Sequence, residues 1–322
     1  MSDSLADYNA LTRSVGVADL SDRTQVELTG ADRAKFLHNL CTNEVRKLPL
    51  GAGCEAFLLN VQGHILAHVY IFAGQDSHVL DSVPGEGAKV VAHLDRYLIR
   101  EDVQLADRSG ARGELLLSGP DSPALLAQMG ITSPPEARLA HIDTTLAGTR
   151  VSIRRVDLTS PVAYFIACES TAAPSLLQTL QSTGARMCGP EAVEMARIEA
   201  GQPYYGRDIH DRSLPQEVAR DAQAISFIKG CYIGQETVAR IDALGHVNKT
   251  LVGVKFAGDQ VPTAGTELTR DGQPAGQVTS ATYSPRLLAP LALAYVRRGS
   301  NTPGTKLESP VGPGEVVRLP LE

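Results

Sequence analysis

A chain of 322 residues, 43% of them hydrophobic, 20% charged and none tryptophan, is too long for one ordinary domain and too apolar to be disordered. The formal net charge of −6 sets up a field that repels a phosphate backbone, which argues against direct nucleic-acid binding.

From the N-terminus, Met1–Tyr8 carries acidic residues and no apolar core, so no signal peptide is expected. No run approaches the ~18 apolar residues of a membrane span, and a cytoplasmic setting is expected ahead of a mitochondrial matrix. Val26–Asp32 reads as a strand leading into a helix over Arg33–Cys41, with apolar residues at Ala34, Leu37 and Cys41 and at Phe36 and Leu40. Thr29 and Asp32 form an S/T-x-x-D signal, which predicts a side-chain cap on an otherwise unpaired N–H. A strand pair turning at Gln62-Gly63 (Ala56–Leu59, then Ile65–Ile71) comes next. A strand at His78–Val83 and a helix near Gly87–Leu98 complete the first unit.

The same order then returns. Leu115–Asp121 leads into a helix over Ser122–Met129, and Ser118 stands 89 positions after Thr29. A second hairpin turns at Ala147-Gly148 (Leu139–Asp143, then Val151–Val156), offset by 85 from the first. A strand at Tyr164–Cys168 and a helix over Ala173–Thr183 follow, with Gly184 as the residue that ends it. Each half reads strand–helix–hairpin–strand–helix, an α+β unit. The near-constant offset predicts a duplication, with the seam between the halves as a natural ligand cleft.

The last third changes character. Gly189-Pro190 opens a helix over Glu191–Ala200, and a loop with glycines and tyrosines spans Gly201–Ser213. A further helix, Gln235–Leu244, ends at Gly245. From His246 the chain becomes short strands with frequent glycines: Leu251–Phe256, Glu267–Arg270, Gln277–Ser280, Ala292–Val296 and Val317–Leu319. Asp271-Gly272 is a type I′ hairpin signal. These features predict a small β-barrel and a division of the chain into 1–245 and 246–322.

The residues that could carry chemistry cluster in that last third. The five cysteines, Cys41, Cys54, Cys168, Cys188 and Cys231, are odd in number and form no C-x-x-C pair. A disulfide framework and a structural zinc site are therefore not expected. Cys231 lies a few residues before a helix whose first turn carries Gln235 and Glu236, where unpaired N–H groups favour a thiolate. Lys229 would act in the same direction if its ammonium is near, so a depressed thiol pKa is expected. The blander reading, a small buried hydrophobe, stays open. Glu199 ends its helix near Tyr204 and Tyr205, and a carboxylate there suits a ring edge presenting N–H and amino donors. An exposed salt-bridging helix end is the alternative. His64 and His68 are four apart without a third ligand in sequence and read as structural or surface residues. No metal site is expected. Hydrolase, P-loop and dinucleotide signatures are missing.

Several segments together resemble the glycine-cleavage T-protein superfamily. They are Val17-Ala18-Asp19-Leu20-Ser21-Asp22-Arg23, Thr29-Gly30-Ala31-Asp32-Arg33 with Phe36-Leu37, Arg197–Asp208, Gly276–Ser280 and Ala292–Val296. Lys229-Gly230-Cys231-Tyr232-Ile233-Gly234-Gln235-Glu236, followed by Arg240, resembles the signature of the YgfZ branch, folate-binding proteins that help maintain iron–sulfur enzymes. The resemblance implies a cloverleaf of two duplicated ferredoxin-like units and a C-terminal barrel around a tetrahydrofolate site. It implies that Glu199 binds the pterin, that Cys231 is the reactive thiol with Lys229 beside it, and that Tyr204, Gln235, Glu236 and Arg240 complete the site. Reduced folate and iron–sulfur client enzymes are the implied partners, with any effect on tRNA modification indirect. A folate-dependent aminomethyltransferase or demethylase is the alternative. One departure bears on that choice: T-proteins carry an asparagine–aspartate pattern after the strand equivalent to His78–Val83, and Val83–Lys89 lacks it. Losing a positioned carboxylate commonly removes ~10²–10⁴ in rate.

Overall fold

The computed structural model describes residues 2–321; Met1 and Glu322, the outer limits of the two expected domains, lie outside the described residues. The first unit is a five-stranded sheet in the order Gly53–Leu59, Ile65–Ala73, Ser77–Ser82, Thr24–Thr29, Gln104–Asp107. Helices Arg33–His38 and Gly87–Asp95 cover one face. Leaving out the first strand of the hairpin, the chain runs strand–helix–strand–strand–helix–strand with sheet order 4-1-3-2, a ferredoxin-like arrangement.

The second sheet follows the same plan in the order His141–Leu146, Thr149–Val156, Ala163–Glu169, Arg112–Ser118, Gly16–Asp19, Arg186–Met187. The duplication shows in the register. Val26 pairs with Leu80 and Leu80 with Ile71, while Leu115 pairs with Ile166 and Ile166 with Ile153. All six face a helix-covered core and are fully buried, each contributing roughly 1.5–3 kcal/mol of apolar transfer. One position breaks the symmetry. In the second unit the fourth place beside Arg112–Ser118 is taken by the N-terminal strand Gly16–Asp19, and Arg186–Met187 is displaced outside it as a parallel edge. The two units are interlocked by that exchange.

The uncovered faces of the two sheets meet, and here charge is buried. Asp81, Glu114, Arg23, Arg154 and Gln25 all lie in the seam at 8% exposure or less. Arg23 Nε donates to Asp81 at 2.8 Å and stacks over Phe165, and Arg154 stacks over Phe72. Burial, with the charge of Asp81 beside it, pushes the Glu114 carboxyl well up. A second knot surrounds Glu55. Arg220 Nη2 donates to it at 2.7 Å, His68 Nε2 lies 2.7 Å away, and Arg138 reaches in from the other unit. Burial alone would raise this carboxyl, but the Arg220 guanidinium outweighs it and holds Glu55 well below the usual range. This knot fixes the 201–220 loop to both units. His68 is thus a structural histidine.

The C-terminal strands Glu267–Arg270, Gln273–Ser284, Ala289–Arg297, Lys249–Phe256, Gly314–Val317 and Lys306–Leu307 form one sheet in that order. Its two ends are joined by a bridge in which Thr269 and Glu308 exchange backbone hydrogen bonds of 2.9 and 2.8 Å, so the sheet curls into a nearly closed barrel. Asp271 and Gly272 both have positive φ, 52° and 71°, as a type I′ turn requires. The last long strand lies at Gly314–Val317 rather than Val317–Leu319, because Gly314 to Val317 pair with Phe256 to Gly253.

Three local expectations change. The first helix stops at His38 rather than Cys41, since the carbonyls beyond it are taken by another segment. Neither Thr29 nor Asp32 caps it. Asp32 accepts instead from the Asp102 N–H at 3.0 Å, and Asp102 accepts from the Ala31 N–H. Residues Ser2–Arg13 form a helix that composition did not suggest. Its Tyr8 and Leu11, three apart, are buried against helix Pro190–Glu199. No helix of the described residues is long and apolar enough to cross a membrane.

Candidate functional site

Two separate places hold the residues singled out by sequence. The first is the end of helix Pro190–Glu199. Glu199 is 5% exposed, and three donors converge on its carboxylate. The Tyr8 hydroxyl donates to Oε2 at 2.5 Å, the Ser284 hydroxyl donates to Oε1, and the Arg286 N–H reaches Oε1 at 3.3 Å. The Glu199 carbonyl accepts from Leu321. Burial, then the Glu199 charge, raises the Tyr8 phenol, keeping its proton in this bond. The pocket is built by three distant parts of the chain: the N-terminal helix, the 190–199 helix and the barrel. Sequence reasoning missed Tyr8 and Ser284. For Tyr8 the only signal was its i, i+3 spacing with Leu11; for Ser284 there was none.

Tyr204 lies on the loop after this helix. Its ring is flanked by Arg207 at 4.0 Å and Arg197 at 5.8 Å. Its backbone N–H donates to the buried Asp208, which also accepts from Arg197 and from Thr279 of the barrel. Asp208 therefore locks the loop onto the barrel.

The second place is the loop before helix Gln235–Leu244. Lys229 is 8% exposed and donates to the carbonyls of His38, Cys41 and Asn43 at 2.5, 2.7 and 2.8 Å. It thus caps the end of helix Arg33–His38, where a cation offsets the helix dipole. Burial lowers its ammonium pKa. Thr42 and Asn43 complete the clamp. Thr42 donates to the Ala224 carbonyl at 2.6 Å, and Asn43 donates to those of Glu55 and Gln223. These two residues were legible only as a polar break after a helix.

Cys231 itself is exposed, unlike the other four cysteines. Earlier in the same loop Ile228 is 98% exposed and Phe227 45% exposed. Cys231 stands a few residues before helix Gln235–Leu244, as expected from sequence. The helix is capped by Gly234, three residues beyond Cys231, and the dipole effect is confined to the first turn. Lys229 sends its hydrogen bonds into the three carbonyls. The two glycines have unequal roles: a Cβ on Gly234 would lie 2.6 Å from the Asn60 carbonyl, whereas one on Gly230 would meet nothing closer than 4.0 Å. Gly234 lets the helix start press against the Asn60–Gly63 turn.

Gln235 is half-buried, and Glu236 and Arg240 are exposed on the same helix. The groups bonded to the Glu199 carboxylate and those clamping Lys229 have no residue in common. The structure therefore does not bring Glu199 and the Lys229–Arg240 set together through shared contacts.

The departing segment Val83–Lys89 enters helix Gly87–Asp95. Lys89 donates to the Tyr205 hydroxyl at 2.6 Å and to Asp211 at 3.0 Å, and Glu86 lies 3.4 Å away. Tyr205 also donates to Asp211. An ammonium group, tied to a carboxylate from the 201–213 loop, occupies this segment.

A reduced folate can be tested against the Glu199 pocket on geometry alone. A carboxylate has about four lone-pair positions, and three are filled by Tyr8, Ser284 and Arg286. One lone-pair position is left for an N–H donor, and a two-pronged contact with a ring edge would require the Tyr8 hydroxyl to give up its bond to Oε2.

Comparison with known proteins gives the family. Residues 2–222 match the GCVT N-terminal domain and residues 249–321 the glycine cleavage T-protein C-terminal barrel domain. The chain is 28% identical to an aminomethyltransferase of Frankia alni over 98% of its length and 88% of that protein. It is 27% identical to one from a Nostoc species, covering 98% and 86%. The crystal structure of glycine cleavage system aminomethyltransferase T from Bartonella henselae superimposes with a TM-score of 0.89 at 22% identity, covering 98% of this chain and 89% of the other. Both domains in their family order and the matching fold place the chain in one group: it belongs to the glycine cleavage T-protein family.

Proposed function

We propose that the chain binds a reduced folate such as tetrahydrofolate at the Glu199 pocket and acts as an accessory protein in iron–sulfur cluster assembly or repair. The folate, when bound, supplies nitrogens that carry one-carbon groups. The chain contributes the carboxylate and hydroxyls that hold the ring edge, with Tyr204 on the adjoining loop. Gln235, Glu236 and Arg240 join the site only as flanks of the Cys231 loop. The observation that carries the reading is the solvent-facing Cys231 two residues after an anchored Lys229, on a loop that also exposes the apolar Phe227 and Ile228. A thiol presented beside apolar surface on a rigid base suits contact with a client protein, here an iron–sulfur enzyme. The setting is cytoplasmic and no nucleic acid is contacted directly; effects on tRNA modification run through the client enzymes. The division 1–245 and 246–322 assigns the folate cleft and thiol to the first part, with Ser284 lent by the barrel.

Calorimetric titration with tetrahydrofolate should give saturable binding that weakens at least tenfold in Glu199→Ala. In a strain lacking the protein, Cys231→Ala should fail to restore iron–sulfur enzyme activity. Full restoration would sink the role of the thiol.

A second reading, folate-dependent aminomethyl transfer or demethylation, is favoured by the names of the relatives. Against it stands the missing asparagine–aspartate pattern in Val83–Lys89, where the one carboxylate, Glu86, is paired with Lys89. Sustained formation of methylene- or methyl-tetrahydrofolate from an amine donor would establish this alternative.

A further inference from the structure

A cleft of about 550 Å³ opens between the 210–213 loop and the barrel; Glu199 and Cys231 do not line it. Arg212 of the loop, Lys249 at the start of the first barrel strand and Arg297 at the end of the strand paired with it all line it, with His210 at the rim. Glu267 is the single carboxylate in the lining. Other arginines nearby are neutralised: Arg197 pairs with Asp208, Arg207 with Glu194 and Arg270 with Asp271. Arg212, Lys249 and Arg297 make no ion pair among the described residues.

The floor gives a second, independent sign. Tyr295 is 8% exposed, and its hydroxyl, with Ser213 beside it, makes no hydrogen bond of ordinary geometry among the described residues. A buried hydroxyl left unpaired is costly, and a ligand oxygen in the cleft would satisfy it. The Lys249 ammonium sits 4.6 Å from the centre of the Tyr295 ring, which holds that charge at the floor. Three cations without an ion pair, against Glu267 in the lining and Glu217 near Lys249, leave the cleft net positive, which suits an anion with more than one charged group.

We propose that this cleft is a ligand site for a small polyanion carrying clustered carboxylates or phosphates. It is bound by Arg212, Lys249 and Arg297, with the Tyr295 hydroxyl donating to one of its oxygens. The site is independent of the folate reading, because it shares no residue with the Glu199 pocket or the Cys231 loop.

The test uses the full chain, without folate, titrated calorimetrically with tri-γ-glutamate and, separately, with inorganic pyrophosphate. At least one should bind with a Kd below about 1 mM, and affinity should fall as salt rises. Lys249→Gln combined with Arg297→Gln should weaken binding tenfold or more; both side chains are exposed, and an unchanged melting temperature will verify the fold. Arg212→Gln, on a separate segment, should weaken it several-fold, and Tyr295→Phe should do so with little change in the salt dependence. Binding of tri-γ-glutamate alone identifies a carboxylate ligand, and of pyrophosphate alone a phosphate ligand. Binding of neither, or equal binding by the double variant, overturns the proposal.

Discussion

Glu199 and Cys231 were expected to share one site, yet their surroundings are opposites. Glu199 is buried, and its carboxylate is bonded by groups from the N-terminal helix and the barrel. Cys231 is exposed on a loop held down by Lys229, which donates to three carbonyls, and by the Ile233 N–H, which donates to the Asn39 carbonyl. The same short motif thus contains a residue that builds the fold and a residue that the fold merely presents. Motif membership says nothing about which is which; burial and hydrogen-bond direction do.

The largest effect should separate Lys229 from Cys231. Lys229→Met leaves three carbonyls without their cation and should lower the unfolding free energy by roughly 2–4 kcal/mol. Cys231→Ala should stay within about 0.5 kcal/mol. Urea unfolding of both variants decides this, and equal losses would erase the distinction. Next is Glu199→Gln. An amide accepts through one atom only, so one of its hydroxyl partners must turn away. Stability should fall by roughly 1–3 kcal/mol, and tetrahydrofolate binding should weaken.

Tyr8→Phe sharpens the other side of the comparison. It frees a lone pair on Glu199 at a cost of about 1 kcal/mol in stability. Folate affinity should rise several-fold if the ring edge needs both oxygens, and a drop would mean that Tyr8 is itself a ligand contact. The smallest effect is in pH. Burial lowers the Lys229 ammonium pKa, so the unfolded chain keeps its proton to higher pH than the folded one. Stability should therefore rise with pH in a window that starts at the depressed folded value and closes near ~10.4. The difference between wild type and Lys229→Met, followed by urea unfolding across that window, isolates the contribution. A difference that does not vary with pH would mean that the folded ammonium is not destabilised.

Much of the architecture was legible because it rests on local patterns. Apolar periodicity, turn glycines and the repeated order of elements placed both α+β units and the barrel. The misses share a cause. Nothing within a few residues of Gly16–Asp19 shows that this strand completes the other unit, because its partner Arg112–Ser118 is about a hundred positions away. The early end of the helix at His38 depends on an ammonium from residue 229.

Sequence by itself determined that this chain folds as a duplicated α+β region with a C-terminal barrel, and that Glu199 and the Lys229–Glu236 segment stand out. Tertiary structure alone decided that Tyr8 and Ser284 hold Glu199, that Lys229 serves the fold while Cys231 faces solvent, and that three unpaired cations surround Tyr295. Periodicity and turn chemistry act between near neighbours in the chain, whereas burial and ion pairing depend on which distant segments packing brings together.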